Sequence, residues 1–354
     1  MHERLLSRLS NIANVYLVSR LKDERLEMAA EDEMRIFLPD THLLSHERAE
    51  LFRYATNHPA LLEMLTGELR DFKASEKQQD NNVIAYQMGD FLDIWRQTPS
   101  YWTVGGHSNE WEANLQQTLD DNTAIISNLL HEDLQTQFLY GNHDIDLRWL
   151  PAFSGWKLRF LFPSSLVKMP CSIALHGDVF SQFEKFTPQW LQYLAVYLFG
   201  PVVKPREMEL GRLRKRIVSA HNKRKYTNYI RQEIPAATGA FVRTADGAIP
   251  EEHNIKRPGT SNKTELQYLK ESKDLTSEIN SLMEWNLNAA FIGHTHNARI
   301  AVEEDGDSLF ALVDCGAWIE RCRGIVDGQE IVMDNAQIVA ATKDDVRIYH
   351  LSPE

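Results

Sequence analysis

The sequence predicts an α/β fold built on two β-sheets. The first observation is an alternation of short apolar runs, which have the length of buried strands, with longer stretches of helical periodicity. The predicted strands of this part span residues 34–38, 83–88, 138–140, 172–175 and 289–292, and the predicted helices span residues 46–73 and 110–132. Strands that alternate with helices in this way are typical of an α/β sheet.

The second observation is a change of pattern after residue 298. Short apolar runs follow one another there, and Asp-Gly and Asp-Asn pairs supply turns between several of them. The runs span residues 298–302, 309–313, 329–333, 337–341 and 346–351. We predict that they form an antiparallel second sheet that packs on the first.

Two stretches lie outside this pattern. Residues 4–33 carry apolar side chains at helical spacing, which predicts a helical N-terminal extension over residues 1–33. We expect it to pack on the main domain, and a dimerisation helix is the alternative.

Residues 181–285 interrupt the alternation, and we interpret them as a mainly helical insertion that caps the site. The main domain then comprises residues 34–180 and 286–354.

The predicted insertion is itself heterogeneous. Residues 186–203 are apolar and aromatic, residues 212–231 are rich in Lys and Arg, and residues 264–286 have helical periodicity. We interpret the apolar part as a helix buried under the cap. Alternatively, it faces lipid while the basic part meets anionic phosphates, so that residues 186–231 contact a membrane surface. The same basic side chains could guide a nucleic-acid strand or form a solvated helix face.

Composition favours a soluble globular protein. The chain has 354 residues, of which 43% are hydrophobic and 25% charged. Its formal net charge of −12 argues against a protein that coats nucleic acid. The three cysteines make no disulfide framework, and their scarcity fits a reducing compartment. Because the sequence shows neither a signal-peptide core nor a membrane span, we expect a cytoplasmic protein, whose oligomeric state the sequence leaves open.

The third observation is that Asp, Asn or His lies within two residues of the end of five of the predicted strands. The segments are Asp40-Thr41-His42, Gly89-Asp90, Gly141-Asn142-His143-Asp144, His176-Gly177-Asp178 and Gly293-His294-Thr295-His296. Ligands of α/β sheets bind beyond the carboxyl ends of the strands, so we expect the five segments to converge. Carboxylate, amide oxygen and imidazole together suit borderline divalent ions such as Mn, Fe, Zn, Co or Ni.

The spacing within these segments suits two metal ions. Asp40 and His42 are two residues apart in extended chain, where alternate side chains point the same way, and His294 and His296 repeat this arrangement. The ions of a two-metal site lie ~3.5–4 Å apart, which requires a bridging ligand. Asp90 is the natural bridge, because the glycine before it allows close backbone approach.

In content and order, the five segments resemble those of the calcineurin-like metallophosphoesterases. The resemblance extends over residues 34–180 and 287–320 and implies a four-layer αββα sandwich. It implies that one ion is held by Asp40, His42, Asp90 and His296, and a second by Asp90, Asn142, His176 and His294. It also implies a water or hydroxide that bridges the ions, with His143 as general acid and Asp93 as the carboxylate that orients it. Manganese is the expected ion, with Fe, Zn, Ni and Co as alternatives.

Departures from the family pattern bear on the substrate. Ile94 stands where the Ser/Thr protein phosphatases of the family carry an Arg that grips phosphate, which argues against a phosphoprotein. The segment from Gly89 to Trp95 is instead similar to Gly-Asp-x-x-Asp-x-Trp of bacterial UDP-2,3-diacylglucosamine pyrophosphohydrolases, although those enzymes typically carry Arg where His143 stands.

The resemblance thus implies hydrolysis of a phosphodiester, pyrophosphate or phosphomonoester. One alternative is a metal-dependent nuclease of the same superfamily, against which the sequence pI near 5.6 counts. The other is a non-catalytic scaffold, against which the complete set of ligands and His143 counts.

Overall fold

A computed structural model of the protein describes residues 1–49, 56, 58–93, 109–139, 141, 143, 166–177, 263–296, 298–319, 322–326, 329–333 and 336–352. The helices of this part are α1 (His2–Leu9), α2 (His46–Ala49), α3 (Pro59–Lys77), α4 (Asn109–Asp121), α5 (Thr123–Leu130) and α6 (Lys263–Met283). The strands are β1 (Asn14–Lys22), β2 (Glu33–Leu38), β3 (Asn82–Gln87), β4 (Gln137–Phe138), β5 (Leu166–Lys168), β6 (Ser172–Leu175), β7 (Ala289–Ile292), β8 (Arg299–Asp305), β9 (Ser308–Asp314), β10 (Cys322–Val326), β11 (Gln329–Met333), β12 (Gln337–Ala341) and β13 (Asp345–Ser352).

The fold is α/β, with two mixed sheets and a two-stranded hairpin of β10 and β11. The larger sheet has the order β1-β13-β12-β2-β3-β4, in which β2, β3 and β4 are parallel and the other pairs are antiparallel. The smaller sheet has the order β5-β6-β7-β9-β8, in which β6, β7 and β9 are parallel. Each sheet therefore has three neighbouring parallel strands whose carboxyl ends lie at one edge.

Apart from the antiparallel pair of β10 and β11, the strands after residue 298 do not form one antiparallel sheet, so this part of the prediction is wrong. β12 and β13 join β2 in the larger sheet, whereas β8 and β9 join β7 in the smaller one. An apolar run identifies a strand locally, but its partners come from distant parts of the chain. The pattern in the sequence therefore predicts the strands without predicting which sheet they enter.

The predicted helix over residues 4–33 is also wrong beyond its beginning. α1 ends at Leu9, and the chain then forms β1, which pairs with β13 at the edge of the larger sheet. The pairing shifts register between Leu17 and Ser19. Val15 packs on the cluster at one face of the sheet and Val18 on the cluster at the other. Residues three apart in a strand lie on opposite faces, so apolar side chains that pack on both faces recur every three residues and resemble a helical pattern.

Two predicted helices are each interrupted. Residues 46–73 contain α2 and most of α3, and α3 begins at Pro59, whose missing N–H is tolerated in the first turn of a helix. Residues 110–132 contain most of α4 and all of α5, which are separated by Asn122. The side-chain amide of Asn122 donates to the carbonyl oxygen of Leu44 at 3.0 Å, which ties this break to the chain that leads from β2 to α2.

Three apolar clusters of described residues hold the helices and sheets together. The first joins α1, α3, α4 and α5 to the larger sheet. The second contains side chains of both sheets, including Phe37 of β2 and Phe291 of β7, whose rings stack with centroids 4.2 Å apart. The third joins α6 to the smaller sheet through residues such as Ile279 and Ile292. This packing ties α6 to the smaller sheet, although the predicted insertion extends to residue 285.

Most of the predicted insertion, including residues 186–231, lies outside the described residues. Among the helices that are described, none is long and apolar enough to cross a membrane.

Candidate metal centre

The candidate ligands lie on loops at the carboxyl ends of parallel strands from both sheets. They are Asp40 and His42 after β2, Asp90 after β3, His176 after β6, and His294 and His296 after β7, while Asp93 and His143, predicted to be catalytic, follow β3 and β4. The two sheets meet at these loops, because the backbone N–H of His294 donates to Asp40 Oδ2 at 2.7 Å. Convergence of the predicted segments is therefore confirmed, with Asn142 outside the described residues.

A first group of ligand atoms comes from Asp40, His42, Asp90 and His296, all within 4.8 Å of one another. The Nε2 atom of His296 lies 3.2 Å from Asp40 Oδ2 and 3.2 Å from His42 Nε2. The Nε2 atom of His42 lies 3.6 Å from Asp90 Oδ2. Two carboxylates and two imidazoles thus point to one position from three loops.

A second group comes from Asp90, His176 and His294, again within 4.8 Å. The Nε2 atom of His176 lies 3.3 Å from Asp90 Oδ2. The Nδ1 atom of His176 lies 3.0 Å from the carbonyl oxygen of Met88, which can only accept, so Nδ1 carries the proton and Nε2 presents its lone pair. Asp90 belongs to both groups, which is the geometry that a bridging ligand requires.

Asp93 lies beside two imidazoles, that of His42, which belongs to the first group, and that of His143. Its Oδ1 atom is 2.9 Å from Nδ1 of His143, and its Oδ2 atom is 3.3 Å from Nδ1 of His42. The sequence predicted the contact with His143, and the structure contains it. The contact with His42 was missed, because that residue follows a different strand and the spacing in the sequence gives no sign of it.

The electrostatics of the site favour the forms of these side chains that bind metals. Burial lowers the pKa of His42 and lowers the pKa of His294 further, which keeps both imidazoles neutral at pH 7. Burial opposes ionisation of Asp90, but His176, His143 and His42 hold the pKa of its carboxyl well below the usual range. Neutral imidazoles and an ionised carboxylate are the states in which these residues ligate a cation.

The donor set also contains polar atoms that a cation would satisfy. Asp40 is fully buried, and its Oδ1 atom accepts no hydrogen bond from the described residues. A buried carboxylate oxygen without a donor is costly unless a positive charge lies beside it. Together with the close approach of His42 and His296, this fits residues that hold metal ions.

The loops reach these positions through unusual backbone conformations. Positive φ angles occur at His42 (46°), Asp90 (48°), His294 (68°) and His296 (58°). Such angles are uncommon for residues other than glycine and often occur at functional sites. Gly89 has a φ of 99°, and a Cβ atom there would lie 2.6 Å from Nδ1 of His176. A glycine is therefore required at this position, where the loop lies against His176 of the second group.

A segment that follows β9 is hydrogen-bonded to the loop that carries Asp40 of the first group. The fully buried Trp318 donates its backbone N–H to the carbonyl oxygen of Asp40 at 2.7 Å and its indole N–H to that of Gln337 at 2.7 Å. At the end of β9, Asp314 accepts a hydrogen bond from the hydroxyl of Thr295, and burial raises its pKa to about 7. Both contacts hold ligand-bearing loops in place.

The chain matches no model of a known protein family and no curated protein. Assignment of a function therefore rests on the chemistry of the site itself.

Proposed function

We propose that the protein is a dinuclear metal-dependent phosphoesterase that hydrolyses a phosphodiester, pyrophosphate or phosphomonoester. One observation carries the proposal: two groups of ligand atoms share Asp90, and a further histidine, His143, lies beside them. Two cations suit a reaction at phosphorus, where negative charge has to be neutralised, and the additional imidazole suits proton transfer to a leaving group.

In this proposal each group of ligand atoms holds one ion. The first ion is held by Asp40, His42, Asp90 and His296, and the second by Asp90, Asn142, His176 and His294. Manganese is the proposed ion, with Fe, Zn, Ni and Co as alternatives. Bound ions would lower the pKa of a water molecule and neutralise charge on the phosphoryl group.

The side chain of His143 is partly exposed. Its exposed fraction is 16%, against 1% for His42, 1% for His176 and 21% for His296, so His143 and His296 lie on the more open side of the site, where we place the substrate. Asp93 holds Nδ1 of His143 at 2.9 Å, and this orients Nε2 as the atom that protonates the leaving oxygen. The backbone N–H of His143 donates to Asp90 Oδ1 at 2.8 Å, which couples its position to the shared ligand.

We further propose that the fold is a four-layer αββα sandwich. The three apolar clusters support this arrangement, because the first joins helices to the larger sheet, the second joins the sheets, and the third joins α6 to the smaller sheet. The chain between β6 and α6 would then form the cap over the site.

The test is hydrolysis of a substrate panel by the Mn²⁺-supplemented protein. The panel contains bis-p-nitrophenyl phosphate, p-nitrophenyl phosphate, cyclic nucleotides, nucleotide-sugar lipids and DNA. We expect metal-dependent hydrolysis that EDTA abolishes and that Asp90→Asn loses together with its bound metal. Absence of hydrolysis across the panel, or two fully occupied metal sites in Asp90→Asn, would contradict the proposal.

A further inference from the structure

Gln87 is a buried amide in an otherwise apolar position. It is the last residue of β3, is fully buried, and is two and four residues from Ala85 and Val83, which face the first apolar cluster. Alternate residues of a strand share a face, so Gln87 follows an apolar series. A buried amide at such a position is costly unless its polar atoms are hydrogen-bonded. Its partners therefore indicate what the residue does.

The side chain of Gln87 hydrogen-bonds to the backbone of two ligand-bearing loops. Its Nε2 atom donates to the carbonyl oxygen of Pro39 at 3.3 Å and to that of Gly89 at 3.0 Å. Its Oε1 atom accepts from the backbone N–H of Gly89 at 2.9 Å. Pro39 directly precedes Asp40, and Gly89 directly precedes Asp90. One amide thus links the two residues that come immediately before the carboxylates of the first group.

Backbone hydrogen bonds next to Gln87 also connect the end of β3 to its two neighbours in the sheet, β2 and β4. The N–H of Met88 donates to the carbonyl oxygen of Leu38 at 2.9 Å, and the N–H of Leu139 donates to that of Gln87 at 2.9 Å. The regular pairing of β2 with β3 ends at Leu38 and Gln87. Beyond these residues, two kinds of contact connect the loops. The backbone N–H groups of Thr41 and His42 donate to the carbonyl oxygen of Asp90 at 3.1 and 2.8 Å, and the side-chain amide of Gln87 joins the residues that precede Asp40 and Asp90.

We infer that Gln87 is a positioning residue that sets the separation of Asp40 and Asp90, and thereby the geometry of the metal pair. The inference rests on the proposed two-metal function. The hydrogen bonds of the Gln87 side chain with the described residues go to backbone atoms, so Gln87 acts by fixing the backbone from which both carboxylates project. Outer contacts of this kind orient metal ligands, and their loss typically weakens metal binding ~10–100-fold.

The test compares Gln87→Met with Tyr86→Phe in the full chain. Methionine preserves the volume of Gln87 but removes all three hydrogen bonds. The control removes a buried hydroxyl one residue away, which accepts a hydrogen bond from Arg35 at 2.8 Å and touches neither ligand-bearing loop. We measure Mn²⁺ affinity by competition with a chelator, and the magnetic coupling of the bound pair by electron paramagnetic resonance.

We expect Gln87→Met to bind Mn²⁺ about tenfold more weakly and to alter the coupled-pair spectrum. Tyr86→Phe should keep the affinity and spectrum of the unmodified protein, even if it unfolds more easily. If Gln87→Met does not fold, Gln87→Leu provides the same comparison, since it also fills the buried position with an apolar side chain and cannot donate to Pro39 and Gly89.

Two results separate this inference from the function on which it rests. If the unmodified protein binds two ions and hydrolyses phosphoesters while Gln87→Met matches it in affinity and spectrum, the positioning role is overturned and the function stands. If the unmodified protein binds no Mn²⁺ pair, the proposed function and the positioning role both fall.

Discussion

At the scale of single residues, the proposed function gives His143 and the candidate metal ligands separable tasks. His143→Ala removes the proposed proton donor, but its side chain belongs to neither group of ligand atoms that shares Asp90. We expect metal content to be unchanged and turnover to fall ~10²–10⁴-fold, the range for general acid catalysis. Turnover is measured on an ester with a poor leaving group, which depends most on protonation, and metal content by elemental analysis. Unchanged turnover on that ester would remove His143 from the mechanism.

Asp93 is the residue through which those two tasks are connected. Because its two oxygens lie beside the Nδ1 atoms of His143 and His42, Asp93→Asn replaces one acceptor by an amide donor. One of the two imidazoles then loses its orientation, so we expect lower turnover together with metal binding weakened ~10–100-fold. The measurements are kcat at saturating Mn²⁺ and the dissociation constant of Mn²⁺. His143→Ala is the matched comparison, since it should change only the first quantity.

At the scale of elements, α1 is attached to the larger sheet in a pH-dependent way. His2 is buried, and its Nε2 atom lies 3.1 Å from the carbonyl oxygen of Asp345, to which the neutral ring donates. Burial and the nearby Arg347 lower the pKa of His2 to about 4, against 6.5 in the unfolded chain. Between these values the unfolded state binds more protons, so the contribution of His2 to stability is lost as the pH decreases from 6.5 to 4.

The size of the effect follows from the pKa difference. A shift of this size corresponds to about 3 kcal/mol of unfolding free energy, lost gradually across the window. Denaturant unfolding at pH 7.5 and pH 5 in the presence of EDTA measures about 2 kcal/mol of this loss, because pH 5 lies inside the window. In His2→Gln, which cannot titrate, the difference between the two pH values should be smaller than in the unmodified protein. Equal differences in both proteins would show that His2 is not responsible.

The elements also differ in how far the sequence predicts them. β6 and β7 were predicted to the residue, because strands buried on both faces are continuous apolar runs. β1 was mistaken for helix, because it is an edge strand with a bulge and exposes residues such as Tyr16 and Leu17. The end of α4 depends on a hydrogen bond from Asn122 to a distant carbonyl, which no local pattern records. Local periodicity therefore predicts central elements better than edges and breaks.

At the scale of the whole molecule, the site was more predictable than the sheets that carry it. The ligand segments follow strand ends, and parallel strands of either sheet bring those ends to the same place. The prediction therefore held although β2 and β7 belong to different sheets. Contacts through space, such as that of Gln87 with Pro39, could not be predicted, because they depend on the pairing of β2 with β3.

The last prediction concerns the coupling of metal binding to the stability of the fold. The ligands come from both sheets, so ions bound by them would link β2 and β3 to β6 and β7. Four described ligand residues have positive φ, and Asp40 and Asp90 are buried carboxylates, so the metal-free site is energetically unfavourable on its own. A ligand that binds only the folded state stabilises it by about 2.7 kcal/mol at one hundred times its dissociation constant.

We therefore expect the melting temperature to fall when EDTA removes metal and to rise again with the logarithm of added Mn²⁺. Differential scanning calorimetry over a series of Mn²⁺ concentrations measures this dependence. Asp90→Asn is the control, because loss of the shared ligand should make its melting temperature insensitive to Mn²⁺. A melting temperature that is independent of Mn²⁺ in the unmodified protein would mean that the converged carboxylates and imidazoles do not hold metal in the folded state.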